Sequence, residues 1–356
     1  MLHTNSELDS VLTTPAPRLS NQEVSDIAAR LFGLSGELTP LDSERDQNIL
    51  VTSTTGETYA LKIANRSESP AVLEMQAEAL QHIADVAPTL PVPAVVFSLN
   101  GSAVEQVHSA AGVKHCVRVL DYIDGENPRD DPLAWALLRP IGEQLAQLDL
   151  ALRGFFHDAA DVALLWDLQH ASLLRPYLHY VGDDVHRALA AFFLDRFDRR
   201  VMPRLRGLRT QTVHNDFVPD NILVGERQPD RIVGIIDFGD MTRAPLITDL
   251  ACTIASSIRE QPDVVAAAVE ISAGYQSRIP LENQEMDLLY ELIATRLVAM
   301  AVIASWRVEL HPENRSYIHD GVERTWATLE RWRDLNRADV RARFSSAYPT
   351  ETATSP

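Results

Sequence analysis

The sequence predicts an α+β protein of bilobal design, with a small β-rich N-lobe followed by a large, mainly helical C-lobe. Three observations predict it. Short β-type runs bounded by turn residues occupy residues 48–63 and 91–123, whereas apolar residues recur at helical spacing over most of the chain beyond residue 132. Between the two regimes lies a Pro/Gly/Asp-rich break, GENPRDDP at 125–132.

The chain has 356 residues, enough for one large or two medium domains with a real core. Its 46% hydrophobic and 23% charged residues are those of an ordinary globular protein rather than a disordered one. Against 32 Lys and Arg stand 50 Asp and Glu, a net charge of −18. Such a field argues against nucleic acid and against anionic membranes as partners, and suits a cationic or amine-bearing small molecule. Cys116 and Cys252 lie in apolar runs, HCVRVL and LACTIAS, with no CxxC, which reads as buried thiols in a reducing compartment. The N-terminal segment MLHTNSELDSVLTTPAPRLS lacks the basic and apolar regions of a signal peptide, and the longest apolar stretch, LVAMAVIASW at 297–306, is too short to span a bilayer. The expected location is cytoplasmic.

Residues 1–20, polar and Pro-bearing, read as a flexible arm, and the N-lobe as 21–124. A helix is expected at 21–32, opening at Asn21 and closing near Gly33. NILV–TSTTGE–TYALKI has the form of a hairpin around a Gly-containing turn. In SPAVLEMQAEALQHIADV, Val72, Leu73, Ala77, Leu80, Ile83 and Ala84 share helical spacing, and PVPAVVFSL and HCVRVLDYI complete the sheet as strands. The C-lobe covers 125–340, opening with a helix whose one face carries Leu138, Ile141, Leu145, Leu148 and Leu152. Helical patterns run through 161–202, resume at 246–259, 261–274, 283–310 and 319–335, and give way to an expected disordered tail at 341–356. DAAD at 158–161 and GDD at 182–184 read as helix caps and solvated surface.

Two segments put carboxylates and amides at the ends of short apolar runs: TVHNDFVPDNILV at 212–224 and RIVGIIDFGDMTR at 231–243. If ILV and IVGII pair as a hairpin through GERQPD, Asn221 and Asp237 lie near one end, and Asp216 comes from the preceding loop. A carboxylate buried without a partner is expensive, so these groups serve a tight turn, an ion pair or a bound cation. Phosphoryl transfer from a nucleotide needs such a set: an Asp to orient the attacking hydroxyl, an Asn and a second Asp for Mg²⁺, and a Lys on the phosphates. Oxygen ligands without Cys/His spacing favour Mg²⁺ over zinc. Lys62, in TYALKIA, is the lysine at hand, although a lone strand lysine also snorkels to solvent. His214 reads as a turn or core histidine. Asp240 has two equal readings, a peripheral metal contact and a solvent-facing acid.

HNDFVPDN resembles the HxDxxxxN catalytic loop, and IIDFGD the metal-binding segment, of the kinase-like phosphotransferases, which include aminoglycoside phosphotransferases, choline kinases and homoserine kinases. The order of Lys62, the break, the catalytic loop and the metal loop extends the resemblance over most of the chain and implies a protein-kinase-like fold. Protein kinases proper match less well, with no HRD, no APE and TRAPLITDLA running directly into a helix. A finer resemblance, carried by SERDQNILV, LKIAN, EMQ, LLWDLQHA, HND, GIIDFGDMTR and ENRSYI, is to hydroxylysine kinases and to phosphotransferase domains fused to class III aminotransferases.

The resemblance implies a catalytic base at Asp216, Mg²⁺ ligands at Asn221 and Asp237, and a phosphate-binding lysine at Lys62. It implies a base-contacting hinge in the backbone of Asp121, Tyr122 and Ile123. Ser43 and Asn48, with the amides of 44–48, are expected at the phosphates. The SERDQN loop has no glycine, however, where many relatives place one for close approach. The helix after Lys62 should supply a Glu to pair with it; EMQAE offers Glu74 and, one turn on, Glu78, with Gln76 between them, and the spacing alone does not choose. Trp166, Asp167, Arg296, Asn314 and Tyr317 are candidates for the acceptor site, Arg296 for a carboxylate and Asp167 for an ammonium group. Each also has a plain structural reading as packing, cap, surface or interhelix ion pair.

The function expected is transfer of the γ-phosphate of ATP or GTP to a hydroxyl of an amine-bearing metabolite, first 5-hydroxylysine or another hydroxylated amino acid. Aminoglycoside, homoserine, choline and sugars are alternatives within the same chemistry. A catalytically inactive nucleotide-binding regulatory module is the alternative of another class, supported by the glycine-free loop.

Overall fold

The computed structural model describes residues 14–43, 45–128, 133–310 and 315–347, the side chains of 315–320 excepted. It is α+β and divides into two compact units. The first comprises Met1–Asp124 with two returning segments, Phe155–Val162 and Gly234–Gly239; the second comprises Gly125–Gly154, Ala163–Val233 and Asp240–Pro356. The second returning segment carries Asp237.

The first unit opens with helix α1, Asn21–Phe32, capped by Ser20 and Glu23 in a reciprocal box and closed by Gly33 at φ 67°. Its apolar face, Val24, Ile27, Ala28, Leu31 and Phe32, covers one side of an antiparallel sheet. That sheet contains β1 (Gly36–Leu41), β2 (Gln47–Ser53), β3 (Thr58–Ile63), β4 (Val95–Val96), β5 (Glu105–His108) and β6 (Lys114–Asp121). Its order is β1-β2-β3-β6-β4, with β5 also on β6. Ile49, Val51, Leu61, Ile63, Val117 and Val119 alternate onto the face covered by α1. Their neighbours Asn48, Lys62 and Arg118 are register partners on the other face. Helix α2, Pro70–Val86, has Pro at its start and buries Leu73, Met75, Gln76, Ala77, Leu80 and Ile83.

Three expectations for this unit change. PVPAVVFSL contributes only Val95–Val96 to the sheet, because Pro91 and Pro93 have no N–H to give a ladder. Strands β1 and β5 lack a clean apolar alternation and were not anticipated. Residues 14–20 are not a loose arm: Leu19 is buried, its backbone exchanges two hydrogen bonds with the Gln47 side chain (2.7 and 2.9 Å), and Asn65 Nδ2 donates to Thr14 O.

The second unit is mainly helical: α3 (Trp135–Ala151), α4 (Asp184–Arg196), α5 (Leu246–Ser257), α6 (Val264–Gln276), α7 (Asn283–Leu310), α8 (Arg315–Arg333) and α9 (Arg337–Ala347). Two small antiparallel pairs interrupt it. β7 (Thr210–Val213) pairs with β10 (Thr242–Pro245), and β8 (Ile222–Gly225) pairs with β9 (Gln228–Ile235). The expected hairpin therefore forms, while the strand before His214 pairs elsewhere. Part of the helical pattern at 161–202 is a 3₁₀ stretch, Leu168–Tyr180, with Pro176 inside it.

α3 and α6 cross closely. A Cβ on Gly142 would stand 1.9 Å from Ile271 O, and one on Gly274 2.1 Å from Arg139 O, so both crossing points require glycine. α7 is long and apolar enough to cross a bilayer, but 78% of its most apolar window is buried against α4, α5, α8, α9 and the 3₁₀ stretch. A helix packed on all sides is apolar all round. Residues 341–347, expected to be disordered, complete α9, with Val340 and Phe344 buried one turn apart and Arg337 on Glu291.

Candidate active site

In the first unit, β9 ends in a segment that places Asp237 at φ 58°, a left-handed conformation uncommon outside glycine. Its Oδ1 accepts from Gly239 N at 3.3 Å and lies 3.6 Å from Lys62 Nζ, an ion pair rather than a hydrogen bond. Lys62 is 14% exposed and Asp237 46%. The lysine sits in β3 between Asn48 and Arg118, so three polar side chains form one row across β2, β3 and β6. Asn48 Oδ1 is buried and has no hydrogen-bond partner among the described residues.

The glycine-free loop is tied by its own side chains. Ser43 Oγ accepts from Asp46 N (3.2 Å), and Asp46 Oδ1 accepts from Asn65 N (2.9 Å). Arg45 approaches the metal loop, its Nη2 being 3.4 Å from where a Gly239 Cβ would stand. Glu44 lies outside the described residues. At the hinge, Asp121 N and Tyr122 N are spent on Ala94 O and Thr58 O, which leaves Ile123 as the hinge position not used by these bonds. Burial, then the charge of Glu57, raises the Asp121 carboxyl above its ordinary range.

Glu74 faces solvent, as does Glu78, which is 3.8 Å from His157 Nε2. The buried member of the trio is Gln76, whose Nε2 donates to Gly239 O at 3.0 Å and whose Oε1 accepts from Arg118 Nη1 at 2.5 Å. Periodicity explains it: Gln76 continues the apolar face through Leu73, Ala77 and Leu80, and its acidic neighbours fall on the opposite face. Arg118 was missed by the sequence reading, although an arginine inside the buried strand HCVRVL, register partner of Lys62, was the available signal. Burial lowers the tendency of its guanidinium to hold a proton, and the charges of Asp46, Asp237 and Glu68 oppose that.

In the second unit, β7 delivers the turn His214–Asn215–Asp216, with Asn215 at φ 63°. The turn is held from α5. Asp249 Oδ2 accepts from His214 N (3.1 Å) and its Oδ1 from Asn215 N (3.0 Å), while Thr253 Oγ1 donates to Phe217 O (2.7 Å). Asp249 is fully buried; burial pushes its carboxyl up to about 7, against the two backbone donors. His214 is buried, and its Nδ1 accepts from Asp216 N at 3.3 Å, a turn role. A second buried acid, Asp149, accepts from Tyr275 Oη at 2.7 Å, and burial followed by the charge of Asp249 raises it well above the carboxylate range.

Asn221 Nδ2 donates to Asp216 O (2.9 Å) and to Asp216 Oδ2 (2.8 Å). Both amide protons are thereby used, which turns Asn221 Oδ1, a hard lone-pair donor, away from Asp216. Among the described residues no group of three or more His, Cys, Asp or Glu is placed to hold a metal alone. An Asn oxygen and one carboxylate fit Mg²⁺, which takes few protein ligands and completes its shell with phosphates and water. Asp240 is buried, which removes the solvent-facing reading.

Arg296, on α7, is not open toward a ligand. Its Nη2 donates to Asp216 Oδ1 at 2.9 Å and its Nη1 to Trp166 O at 3.0 Å. Burial works against its charge, but the carboxylates of Asp216, Asp240 and Asp249 hold it above its usual range. Asp167 is buried and caps the 3₁₀ stretch, accepting from Gln169 N (3.0 Å) and Gln169 Nε2 (3.1 Å). Asn314 and the Tyr317 side chain lie outside the described residues.

Comparison with known proteins agrees with this chemistry. The hydroxylysine kinase of Danio rerio is 30% identical over 344 residues, covering 93% of this chain and 96% of its own, and that of Mus musculus is 27% identical over 347 residues, covering 91% and 92%. Among solved structures, a microcompartment-associated aminopropanol kinase matches at TM-score 0.71 (19% identity, 88% of this chain and 97% of its own). The amicoumacin kinase hAmiN, in complex with AMP-PNP, Ca²⁺ and Ami, matches at 0.69 (15% identity, 90% and 97%), so the kinase-like fold is shared. The model of the phosphotransferase enzyme family matches residues 37–291, from β1 into α7, and the chain is a member of that family.

Proposed function

We propose that this phosphotransferase moves the γ-phosphate of ATP or GTP to a hydroxyl of an amine-bearing metabolite, with 5-hydroxylysine or a similar hydroxylated amino acid as first candidate. The observation that carries the reading is the joint clamp on Asp216: Arg296 holds one carboxylate oxygen and Asn221 the other. The carboxylate is fixed yet 25% exposed, as a group that receives a hydroxyl must be. The identity to hydroxylysine kinases along nearly the whole chain supports the acceptor class.

In this reading Asp216 accepts a hydrogen bond from the acceptor hydroxyl and takes its proton as the oxygen–phosphorus bond forms and the bond from the γ-phosphorus to the β,γ-bridging oxygen breaks, releasing the nucleoside diphosphate. Lys62 leaves Asp237 for the nucleotide phosphates, and the hinge at Ile123 meets the base. Asn221 and Asp237 would hold Mg²⁺, which neutralises developing charge on the phosphates. The two cysteines are reduced and buried, and burial pushes the Cys252 thiol up to about 12, which fits a cytoplasmic setting.

The test is nucleotide consumption by purified protein with Mg²⁺ and ATP or GTP, across hydroxylated amino acids, aminoglycosides, homoserine, choline and sugars, with Asp216→Ala in parallel. Turnover that depends on a hydroxylated amino acid and is lost in the variant supports the reading. Turnover with another acceptor replaces the substrate. Nucleotide binding without turnover of any acceptor overturns it in favour of a regulatory module.

A further inference from the structure

The kinase-like resemblance implies a carboxylate on helix α2 as the partner of Lys62. The structure presents an amide instead. Gln76 is 1% exposed, and both ends of its side chain are engaged within the first unit. Arg118 Nη1 donates to Oε1, which leaves Nε2 to face Gly239 O, so the arginine decides which way the amide is turned. Gly239 stands two residues from Asp237 and donates its own N–H to that carboxylate. Lys62, register partner of Arg118, has Asp237 as its counter-charge. One continuous chain of contacts therefore runs from β6 through α2 to the metal loop.

A carboxylate at position 76 accepts from Arg118 equally well but has no proton for Gly239 O. It also sets a negative charge against a carbonyl oxygen. The neutral amide is thus the side chain that ties α2 to the loop while satisfying a buried arginine. Asp237 and Glu68 act on that arginine through space, with Asp46 the largest such charge, and its Nε has no hydrogen-bond partner among the described residues.

We propose that Gln76 is a positioning residue for the metal loop, oriented by Arg118, and that it sets how readily Asp237 engages Mg²⁺. This rests on the Mg²⁺–nucleotide reading above. Gln76 touches neither phosphate nor metal in this scheme. It fixes the carbonyl at Gly239, and through it the left-handed backbone that aims Asp237.

The experiment titrates Mg²⁺ against binding of a fluorescent ATP analogue to wild type, Gln76→Glu, Gln76→Met and Arg118→Met, with binding also measured without metal and the fold checked by thermal melting. Gln76→Glu keeps its bond to Arg118, and Gln76→Met reads the same quantity if the acid disturbs folding. The Mg²⁺ concentration for half-saturation is expected to rise about ten-fold in both Gln76 variants, the effect of one lost hydrogen bond, and about three-fold in Arg118→Met. Metal-free affinity is expected to change less than about two-fold, a split that general loosening of the fold does not produce. Hydrogen exchange at 237–241 should quicken in parallel. A folded Gln76 variant with the wild-type Mg²⁺ requirement overturns the proposal, and an unchanged Arg118→Met overturns the part given to Arg118. If wild type itself binds no nucleotide, the functional reading fails and takes this inference with it; Mg²⁺-dependent wild-type binding with unaltered variants removes the inference alone.

Discussion

Arg296 donates from Nη2 to Asp216 Oδ1 at 2.9 Å while its Nη1 is spent on the Trp166 carbonyl. The group proposed as base is thus paired with a buried cation before any acceptor arrives. Removing one member of such a pair leaves the other poorly compensated, at a cost of about 1–3 kcal/mol given the partial exposure of Asp216. Arg296→Met is expected to lower kcat about ten- to hundred-fold, with a much smaller effect on nucleotide KM. Arg296→Lys, which keeps the charge and one donor, should lose less. Steady-state kinetics of both variants decide this, and full kcat in Arg296→Met would remove Arg296 from the mechanism.

Lys62 should separate from Arg296 in the same assay. Its proposed work is on phosphates, so Lys62→Ala is expected to weaken nucleotide binding about ten- to hundred-fold, the worth of a charge-assisted hydrogen bond. Calorimetric titration with nucleotide and Mg²⁺ measures it. An unchanged affinity would leave Lys62 as a structural partner of Asp237.

Asp249 makes a pH prediction. Burial raises its folded-state pKa to about 7, above its ordinary value of 3.8, so the folded chain binds more protons than the unfolded chain between those limits. Stability contributed by the protonated form is complete below about pH 4 and is lost as pH rises through about 7. Asp149, raised in the same direction, adds to the slope. The melting temperature should therefore carry a downward component over this window, and Asp249→Asn should flatten it. A slope unaltered by that substitution would contradict the assignment.

The crossing of α3 and α6 gives a prediction free of catalysis. A methyl group at Gly142 or Gly274 meets a backbone carbonyl at 1.9 or 2.1 Å, and a carbonyl inside a helix cannot turn aside. Gly142→Ala and Gly274→Ala are each expected to cost about 2–3 kcal/mol and to lower Tm by roughly 3–4 °C. Differential scanning calorimetry checks both.

The sequence made the elements legible where one rule acted alone. α1 follows from Asn21 and Gly33, although its cap is the Ser20–Glu23 box one residue earlier, and the β2–β3 turn follows from its glycine. Phosphotransferase chemistry was legible through the resemblance of HNDFVPDN and IIDFGD to the kinase-like motifs, because acidic and amide groups at strand ends, taken alone, also serve a tight turn or an ion pair. The partners of these groups were not legible. The spacing of Glu74, Gln76 and Glu78 did not choose a partner for Lys62; the helical period turns both acids outward and brings Gln76 in. Arg296 had two readings, a substrate carboxylate and an ion pair, and its pairing with Asp216 was not legible because the contact spans 80 residues of sequence. Asp249 passed unnoticed because one acid in an apolar helix has no local pattern.

That same Asp249 places a constraint on the order of events in synthesis. It lies 35 residues beyond His214, and Thr253 lies 36 beyond Phe217. A nascent chain that has emerged only through Met241 carries every residue of the catalytic and metal loops, yet His214 and Asn215 lack the carboxylate that receives their N–H groups. The shape of the turn is therefore acquired after Asp249 and Thr253 of α5 have left the ribosome, and a fragment ending between Met241 and Asp249 retains the signature without the arrangement.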